Sequence, residues 1–123
     1  MSRPPVVATE IIALMQDSPQ HAWDHAEIQA ALWRQGIKVN ASTIHRALRY
    51  LVQRHLILST AIASHWYFET STSHHEHLVC LQCGRLQPIP CATPPSAPVD
   101  FVTSSHQINI FGTCFSCAEA KPC

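Results

Sequence analysis

Two Cys-x-x-Cys pairs constrain the fold of this chain more than any other feature of its sequence. Cys80 and Cys83 form the first pair, and Cys114 and Cys117 form the second after thirty intervening residues. Each pair can bend two thiolates onto one side of a tetrahedral metal ion, and the long spacer allows the second pair to close the other side. We therefore predict a structural zinc site that joins two distant segments of the chain.

Other interpretations of the cysteine pairs are two independent redox pairs, small buried thiols, or an iron–sulfur cluster. A thioredoxin-type pair begins a helix in a βαβ unit, and neither pair has that setting. The first residues lack a secretory signal, and no stretch approaches the roughly 20 apolar residues of a membrane span. We therefore expect a cytoplasmic protein, without a membrane partner, whose thiols stay reduced.

The segment "HHEH", residues 74–77, adds further metal-ligand types just before the first cysteine pair. Alternate residues of a strand point to opposite faces, so His75 and His77 share one face while His74 and Glu76 share the other. One strand can therefore serve two metal sites. Imidazole and carboxylate ligands suit zinc, iron(II) or manganese(II), and affinity order alone does not choose among them.

Cys91 and Cys123 remain outside the two pairs. Cys91 lies in the proline-rich stretch "PIPCATPPSAP", and Cys123 is the last residue. Three roles are open for Cys91: a ligand for a second metal, a redox-sensitive thiol, or no special role.

Enzyme signatures do not match the ligand-rich segment. A zinc deaminase needs H-x-E followed by P-C-x-x-C, and neither cysteine pair follows a proline. The H-E-x-x-H metalloprotease signature and the common nucleophile motifs are also absent from the sequence. We therefore predict that the protein is not an enzyme.

The first half of the chain has helical patterns and a mildly basic charge. Residues 1–60 carry six basic and four acidic side chains, whereas residues 61–123 carry two and four. A helix is predicted over residues 6–15, and Asp24 with Glu27 forms a capping box for a second helix. A third, from Ala41 to Arg54, has an apolar face that recurs at helical spacing. That face consists of Ile44, Ala47, Leu48, Leu51 and Val52.

The pattern then changes from helical to extended. The runs "LILST" and "HWYFET", joined by "AIAS", predict a hairpin or wing. Further strands are expected over residues 77–80, 85–89 and 106–111. Helices in front and strands behind predict an α+β fold.

Three segments together resemble the ferric uptake regulator (Fur) family of bacterial metal-dependent transcription factors. They are "STIHRALRYL", "YFETSTSHHEHLVCLQCG" and "HQINIFGTCFSC", and their order and spacing match as well as their residue types. The resemblance implies an N-terminal winged helix-turn-helix DNA-binding domain over residues 1–70. It also implies a small αβ dimerisation domain with a four-cysteine zinc site over residues 71–123. The partners it implies are a second copy of the chain and an inverted-repeat operator in double-stranded DNA.

The resemblance also implies roles for individual residues. The structural zinc ligands are Cys80, Cys83, Cys114 and Cys117. The sensory metal site at the hinge takes Glu69, His75 and His77, with His21, His55, His65 and Cys91 as candidates for a further ligand. An additional site in the dimerisation domain takes His74, Glu76 and His106. The face of the third helix opposite its apolar face supplies the DNA-contacting candidates, which are Ser42, Thr43, His45, Arg46, Arg49, Tyr50 and Gln53.

Two departures from the family pattern bear on the DNA contact of the third helix and on the sensed metal, respectively. His45 stands where the family usually has a tyrosine, and Pro88 stands where its iron and peroxide sensors typically carry a carboxylate. Loss of that oxygen ligand, with the softer Cys91 nearby, favours zinc over iron. The zinc uptake regulator (Zur) subgroup is therefore the closest match. The alternatives are an iron- or manganese-dependent regulator, a peroxide sensor of the same fold, or a zinc-binding adaptor that does not bind DNA.

Overall fold

The chain divides into two compact units, Met1–Thr72 and Ser73–Cys123. A computed structural model describes residues 5–70, 73–91 and 100–120. The described part of the first unit holds three helices followed by a hairpin, and that of the second holds a three-stranded sheet followed by a short helix. The predicted α+β fold class is confirmed.

Three helices form the body of the first unit: α1 (Ala8–Gln16), α2 (His25–Arg34) and α3 (Ala41–Gln53). The predicted capping box begins α2, where the Asp24 carboxylate accepts from the Glu27 N–H at 2.7 Å and the Glu27 carboxylate accepts from the Asp24 N–H at 2.9 Å. The Asn40 side chain caps α3 by accepting from the Thr43 N–H at 2.9 Å. These caps satisfy backbone donors that a helix leaves unpaired at its first turn.

The core of the first unit lies where the three helices meet. Ile11, Ile28, Leu32 and Ile44 are fully buried there. On α3 the predicted apolar face is buried as expected, except that Val52 is only half-buried at its edge. Burial of each such side chain stabilises the unit by roughly 1.5–3 kcal/mol, and the packing fixes which face of α3 remains exposed.

A hairpin follows the helices. Strands β1 (Leu58–Ile62) and β2 (His65–Glu69) pair antiparallel, with the turn at Ala63 and Ser64. Both turn residues have positive φ, 52° and 65°, as a two-residue hairpin turn of type I′ requires. β1 therefore extends into the segment expected to be the connection. An isolated bridge between Trp23 and Phe68 ties the hairpin to the chain just before α2.

The sheet of the second unit has the order β4-β3-β5. Its strands are β3 (Glu76–Cys80), β4 (Leu86–Ile89) and β5 (Asn109–Gly112), and α4 (Phe115–Ala120) follows. β3 pairs antiparallel with β4 and parallel with β5. The strand predicted over residues 106–111 begins only at Asn109, so β5 is shorter than predicted. The helix α4 was not expected from the sequence. None of the helices in the described ranges has the length and apolar character needed to cross a membrane.

Candidate metal centres

The sheet of the second unit gathers metal-ligand types at both of its ends. Because β3 and β5 run parallel, their carboxyl ends lie at one edge, and the two cysteine pairs follow these ends. His74 and His106 precede the amino ends of the same strands at the opposite edge. β4 runs antiparallel to β3, so its end at Ile89 returns to that opposite edge just before Cys91.

The four paired cysteines converge as the sequence predicts. The sulfur atoms of Cys80, Cys83, Cys114 and Cys117 all lie within 4.8 Å of one another, and those of Cys83 and Cys114 are 3.9 Å apart. A tetrahedral zinc ion with Zn–S bonds of about 2.3 Å holds its sulfurs about 3.8 Å apart. The donor set therefore fits a closed zinc site.

Backbone groups prepare this cysteine site for a metal. The Cys114 N–H donates to the Cys80 sulfur at 3.3 Å, which is the main reason why the pKa of the Cys80 thiol falls to about 6. The pKa of Cys117 rises to about 12 because its thiol donates to the neighbouring sulfurs, first that of Cys114. Because cysteine binds zinc as a thiolate, zinc binding at this site releases thiol protons.

A glycine shapes the turn between the first two thiols and β4. Gly84 has φ of +76° and donates its N–H to the Cys80 carbonyl at 2.9 Å. Residues with a Cβ adopt this left-handed region only at a cost, so glycine suits the position. The turn aims Cys80 and Cys83 in one direction.

A second group, which we call the edge cluster, lies at the opposite end of the sheet. It consists of His74, Glu76, Cys91 and His106, whose ligand atoms all lie within 4.8 Å of one another. The Glu76 Oε1 is 2.7 Å from His74 Nε2 and 2.9 Å from His106 Nε2. The structure therefore brings together the three residues that the resemblance groups in an additional site.

Cys91 is the fourth member of the edge cluster. Its sulfur lies 3.3 Å from His106 Nε2, not beside the His75–His77 pair. The expectation that it supplements the sensory residues is thus corrected by the β3–β4 register, which returns the chain beside Glu76. Burial, and then the Glu76 carboxylate, raise the pKa of the Cys91 thiol.

Glu76 is held as a carboxylate although it is 4% exposed. Burial alone would raise its pKa, but the hydrogen bonds that it accepts, first from the Ile108 N–H at 2.6 Å, bring the pKa below its ordinary value. A buried anion that faces two imidazoles can attract a cation.

His75 and His77 form a separate pair on the other side of the strand. Their Nε2 atoms are 3.1 Å apart, and His77 is buried. The His75 Nδ1 lies 2.8 Å from the Ser73 carbonyl, so Nδ1 donates and Nε2 keeps its lone pair. A lone pair at this atom suits a metal ligand, and a carbonyl partner of this kind typically orients one.

The three histidines of the first unit that were predicted as further sensory ligands have different surroundings. Glu69 is 2% exposed and contacts His21. His65 instead contacts Asp24 at 2.9 Å, and His55 is exposed with a left-handed backbone just after α3. His21 is therefore the candidate that the first unit brings to Glu69.

The face of α3 opposite the core carries most of the predicted DNA-contacting residues. Ser42, His45, Arg46, Arg49 and Gln53 are exposed. The Arg46 Nη2 lies 3.4 Å from Thr43 Oγ1, and the Arg49 Nη2 lies 3.4 Å from His45 Nε2.

Tyr50 corrects the expectation for this face. It packs against the core, and Arg54 lies over its ring at 4.8 Å. Each residue turns the helix by about 100°, so Thr43 and Tyr50 both lie within about 60° of Ala47, on the same side of it, instead of pointing away from it. Both side chains are half-buried for this reason.

Two further residues, His25 and Trp66, also border this helix face. His25 lies with Ser42 and Arg46 around a groove of about 390 Å³ at the start of α3, and its Nε2 is 3.1 Å from the Ala41 carbonyl. A second groove of about 440 Å³ lies between α3 and the hairpin, with the exposed Trp66 on its border. Helical periodicity within α3 carries no signal for either residue, because both belong to other elements.

Known proteins similar to this chain give a consistent grouping. The protein-family sequence model described as "Ferric uptake regulator family" matches residues 8–93 of this chain. The ferric uptake regulation protein of Legionella pneumophila is 28% identical over 120 residues, which cover 88% of this chain and 85% of the relative. The zinc uptake regulation protein of Mycobacterium tuberculosis is 31% identical over 99 residues, which cover 74% and 76%.

A solved structure shares the fold. The ferric uptake regulator of Helicobacter pylori, described as having three functional metal binding sites, aligns with a TM-score of 0.73. The alignment covers 94% of this chain and 81% of that protein at 20% identity.

Proposed function

Because this chain belongs to the ferric uptake regulator family, we propose that it is a zinc-responsive DNA-binding transcriptional regulator. In this proposal a metal-loaded homodimer binds an inverted-repeat operator and represses metal-uptake genes. In this proposal a DNA-binding domain over residues 1–70 contacts DNA, and a domain over residues 71–123 binds metal and joins the two copies. The protein performs no catalysis.

The division of α3 into two faces carries the proposal. One face is buried in the core, and the other exposes Arg46, Arg49 and Gln53 without an apolar residue between them. A recognition helix needs this arrangement, because the buried face holds the helix rigid while arginines contact phosphates or guanine edges in the major groove. The chain has no net charge at pH 7, so a dimer that doubles the contacts supplies affinity that one copy lacks.

The sensory site is proposed from the family resemblance and from one pair of residues in each unit. The first unit supplies Glu69 with His21, and the second supplies His75 with His77. If one ion takes ligands from both units, it is fully coordinated in only one relative orientation of the two. Metal binding then increases the population of that orientation, and DNA binding strengthens metal binding by the same factor.

Zinc is the proposed metal at this sensory site. His77 faces Pro88 across the β3–β4 pair, and proline offers no ligand atom at the position where the resemblance expects a carboxylate. Glu69 is then the only oxygen ligand among the proposed four. A set rich in imidazole suits zinc better than manganese(II), which prefers oxygen.

A DNA-binding titration at buffered free zinc, iron(II) and manganese(II) tests the proposal. We expect zinc to increase the affinity for operator DNA at the lowest free concentration. A response to iron(II) or manganese(II) alone would indicate an iron- or manganese-dependent regulator, and loss of an iron response after peroxide treatment would indicate a peroxide sensor. No duplex binding under any metal would indicate an adaptor.

A further inference from the structure

We propose that Cys91 is the fourth ligand of a divalent metal ion at the edge cluster, and that its thiolate makes this site prefer zinc over manganese(II). The family resemblance groups only His74, Glu76 and His106 here. The inference rests on the proposed function, because it concerns one metal site of a metal-responsive regulator. It adds a ligand to that site, and this ligand determines which metal the site prefers.

The contacts of His106 are the first argument. Its Nε2 lies 2.9 Å from Glu76 Oε1, 3.0 Å from His74 Nε2 and 3.3 Å from Cys91 Sγ. One imidazole nitrogen offers either one N–H or one lone pair, so no single protonation state satisfies all three neighbours. A cation among the four atoms satisfies them together through their lone pairs.

The orientation of Glu76 is the second argument. Its Oε2 accepts from the Ile108 N–H at 2.6 Å, which leaves Oε1 directed toward both histidines. Ligating carboxylates are typically held by such a hydrogen bond from outside the ligand set. The carboxylate is buried, so the bond fixes it where solvent competes little for the ion.

The strand register is the third argument, because it determines the position of Cys91. Glu76 pairs with Ile89, and Cys91 follows two residues later. The thiol therefore reaches the cluster from the end of a paired strand. Its half-buried side chain completes a set of two nitrogens, one oxygen and one sulfur.

The chemistry of this set predicts its preference. Four ligands that include imidazole and thiolate are typical of tetrahedral zinc. Manganese(II) prefers carboxylate, carbonyl and water oxygens in octahedral sites, and a thiolate is a poor substitute for them. Replacement of the sulfur by oxygen should therefore reduce the preference for zinc.

Cobalt(II) titration of the dimer that already holds one zinc per chain tests the inference. The four paired thiols are then occupied, and the proposed sensory residues include no thiol, so a thiolate-to-cobalt charge-transfer band reports Cys91. We expect the band in the unmodified protein and in a Cys123→Ser control, and its loss in Cys91→Ser. Zinc content measured before and after titration verifies that cobalt has not displaced structural zinc.

Metal affinity provides a second measurement. Loss of a residue that only hydrogen-bonds a metal ligand typically lowers metal affinity by about 10–100-fold. Loss of a direct ligand should cost at least as much, so Cys91→Ser should weaken zinc binding at this site by at least about tenfold. Cys91→Asp should lower the ratio of zinc to manganese(II) affinity by a similar factor.

Absence of the band in the unmodified protein, or an unchanged zinc affinity in Cys91→Ser, would overturn the inference. DNA binding is not measured in either experiment. A failure here therefore leaves the regulatory proposal standing, and a failure of zinc-stimulated DNA binding leaves this inference standing.

Discussion

The histidines considered as metal ligands differ in the group that each one contacts. His75 donates Nδ1 to the Ser73 carbonyl and keeps a lone pair at Nε2, whereas His65 contacts the Asp24 carboxylate and His55 lies exposed beyond α3. All three are histidines near predicted ligand segments. A hydrogen bond alone does not distinguish them, because His65 has one too; His75 differs because its Nε2 also lies 3.1 Å from that of His77, so two imidazole nitrogens meet where a metal ion could bind.

His77→Ala is expected to keep one structural zinc per chain and the dimer, yet abolish zinc-stimulated DNA binding. Its side chain lies outside the four-thiol group, so the fold retains its zinc. To move an equilibrium from 1:99 to 99:1, a ligand must favour one state by roughly 5.5 kcal/mol, and loss of one strong ligand removes much of that difference. Fluorescence anisotropy with operator DNA at buffered zinc measures the effect.

The matched control for this variant is His55→Ala, because His55 is exposed and belongs to none of the three groups of converging ligand atoms. It should respond to zinc like the unmodified protein. If His77→Ala responds to zinc like the unmodified protein, the segment "HHEH" does not contribute the sensory metal site.

Arg49→Ala is expected to weaken operator binding while metal content and dimer mass stay unchanged. Arg49 is exposed on α3, where its Nη2 lies 3.4 Å from His45 Nε2, so its loss should not disturb folding. A guanine contact would relax specificity at one base pair by about 1–3 kcal/mol, whereas a phosphate contact would weaken all sequences and flatten the salt dependence. Competition with operator variants at two salt concentrations separates the two cases.

Arg85→Ala, at the residue just before β4 in the second unit, serves as a charge-matched control. Undiminished DNA binding by Arg49→Ala would argue against α3 as the recognition helix.

At the level of elements, the direction of each strand decides which ligands meet. Parallel pairing of β3 with β5 joins the two cysteine pairs, and antiparallel pairing with β4 returns Cys91 to the amino end of β3. The turn at Gly84 then directs the first pair of thiols. Metal geometry in this unit is therefore a property of the sheet and its turns.

Gly84→Ala is expected to destabilise this turn by about 1–2 kcal/mol, because a left-handed backbone brings Cβ close to the following carbonyl. A Cβ at this position meets nothing within 4 Å, so crowding adds no further cost. We expect faster zinc loss to a chelator, measured with a colorimetric zinc indicator. Gly84→Asn should lose zinc more slowly than Gly84→Ala, because asparagine tolerates this conformation better.

Equal zinc loss from Gly84→Ala and the unmodified protein would show that the turn conformation does not support the cysteine site.

At the level of the whole molecule, stability depends on metal more than in a larger protein. A chain of 123 residues in two units offers each unit a small core, and small domains often need a metal or a partner. Among the described residues, the large apolar core residues belong to the first unit, and the second contributes chiefly Val79, Cys80 and Leu86. The second unit therefore relies on its cysteine site for much of its stability.

Cys114→Ser is expected to lose the tightest zinc and the folded dimer together. Structural zinc contributes about 10–16 kcal/mol of binding free energy in small zinc domains, and most of it is folding free energy. Analytical ultracentrifugation with zinc analysis measures both properties on one sample. Cys123→Ser is the control, and a stable dimer of Cys114→Ser after chelation would contradict the four-thiol assignment.

The sequence by itself determined the features that depend on local spacing. Asp24 and Glu27 lie three residues apart and form the capping box, and the spacing of Ile44, Ala47, Leu48 and Leu51 buries one face of α3. Two Cys-x-x-Cys pairs indicated the group that the fold assembles. The motifs around them also identified the family.

Only the tertiary structure decided the features that depend on how distant segments pair. Cys91 belongs with His106 because of the β3–β4 register, His21 lies beside Glu69 within the first unit, and Tyr50 turns toward the core beside Arg54. Spacing along a helix or strand fixes the direction of a side chain relative to its neighbours in sequence. It does not fix which distant residue that side chain meets, because strand order and register depend on the packing of the whole unit.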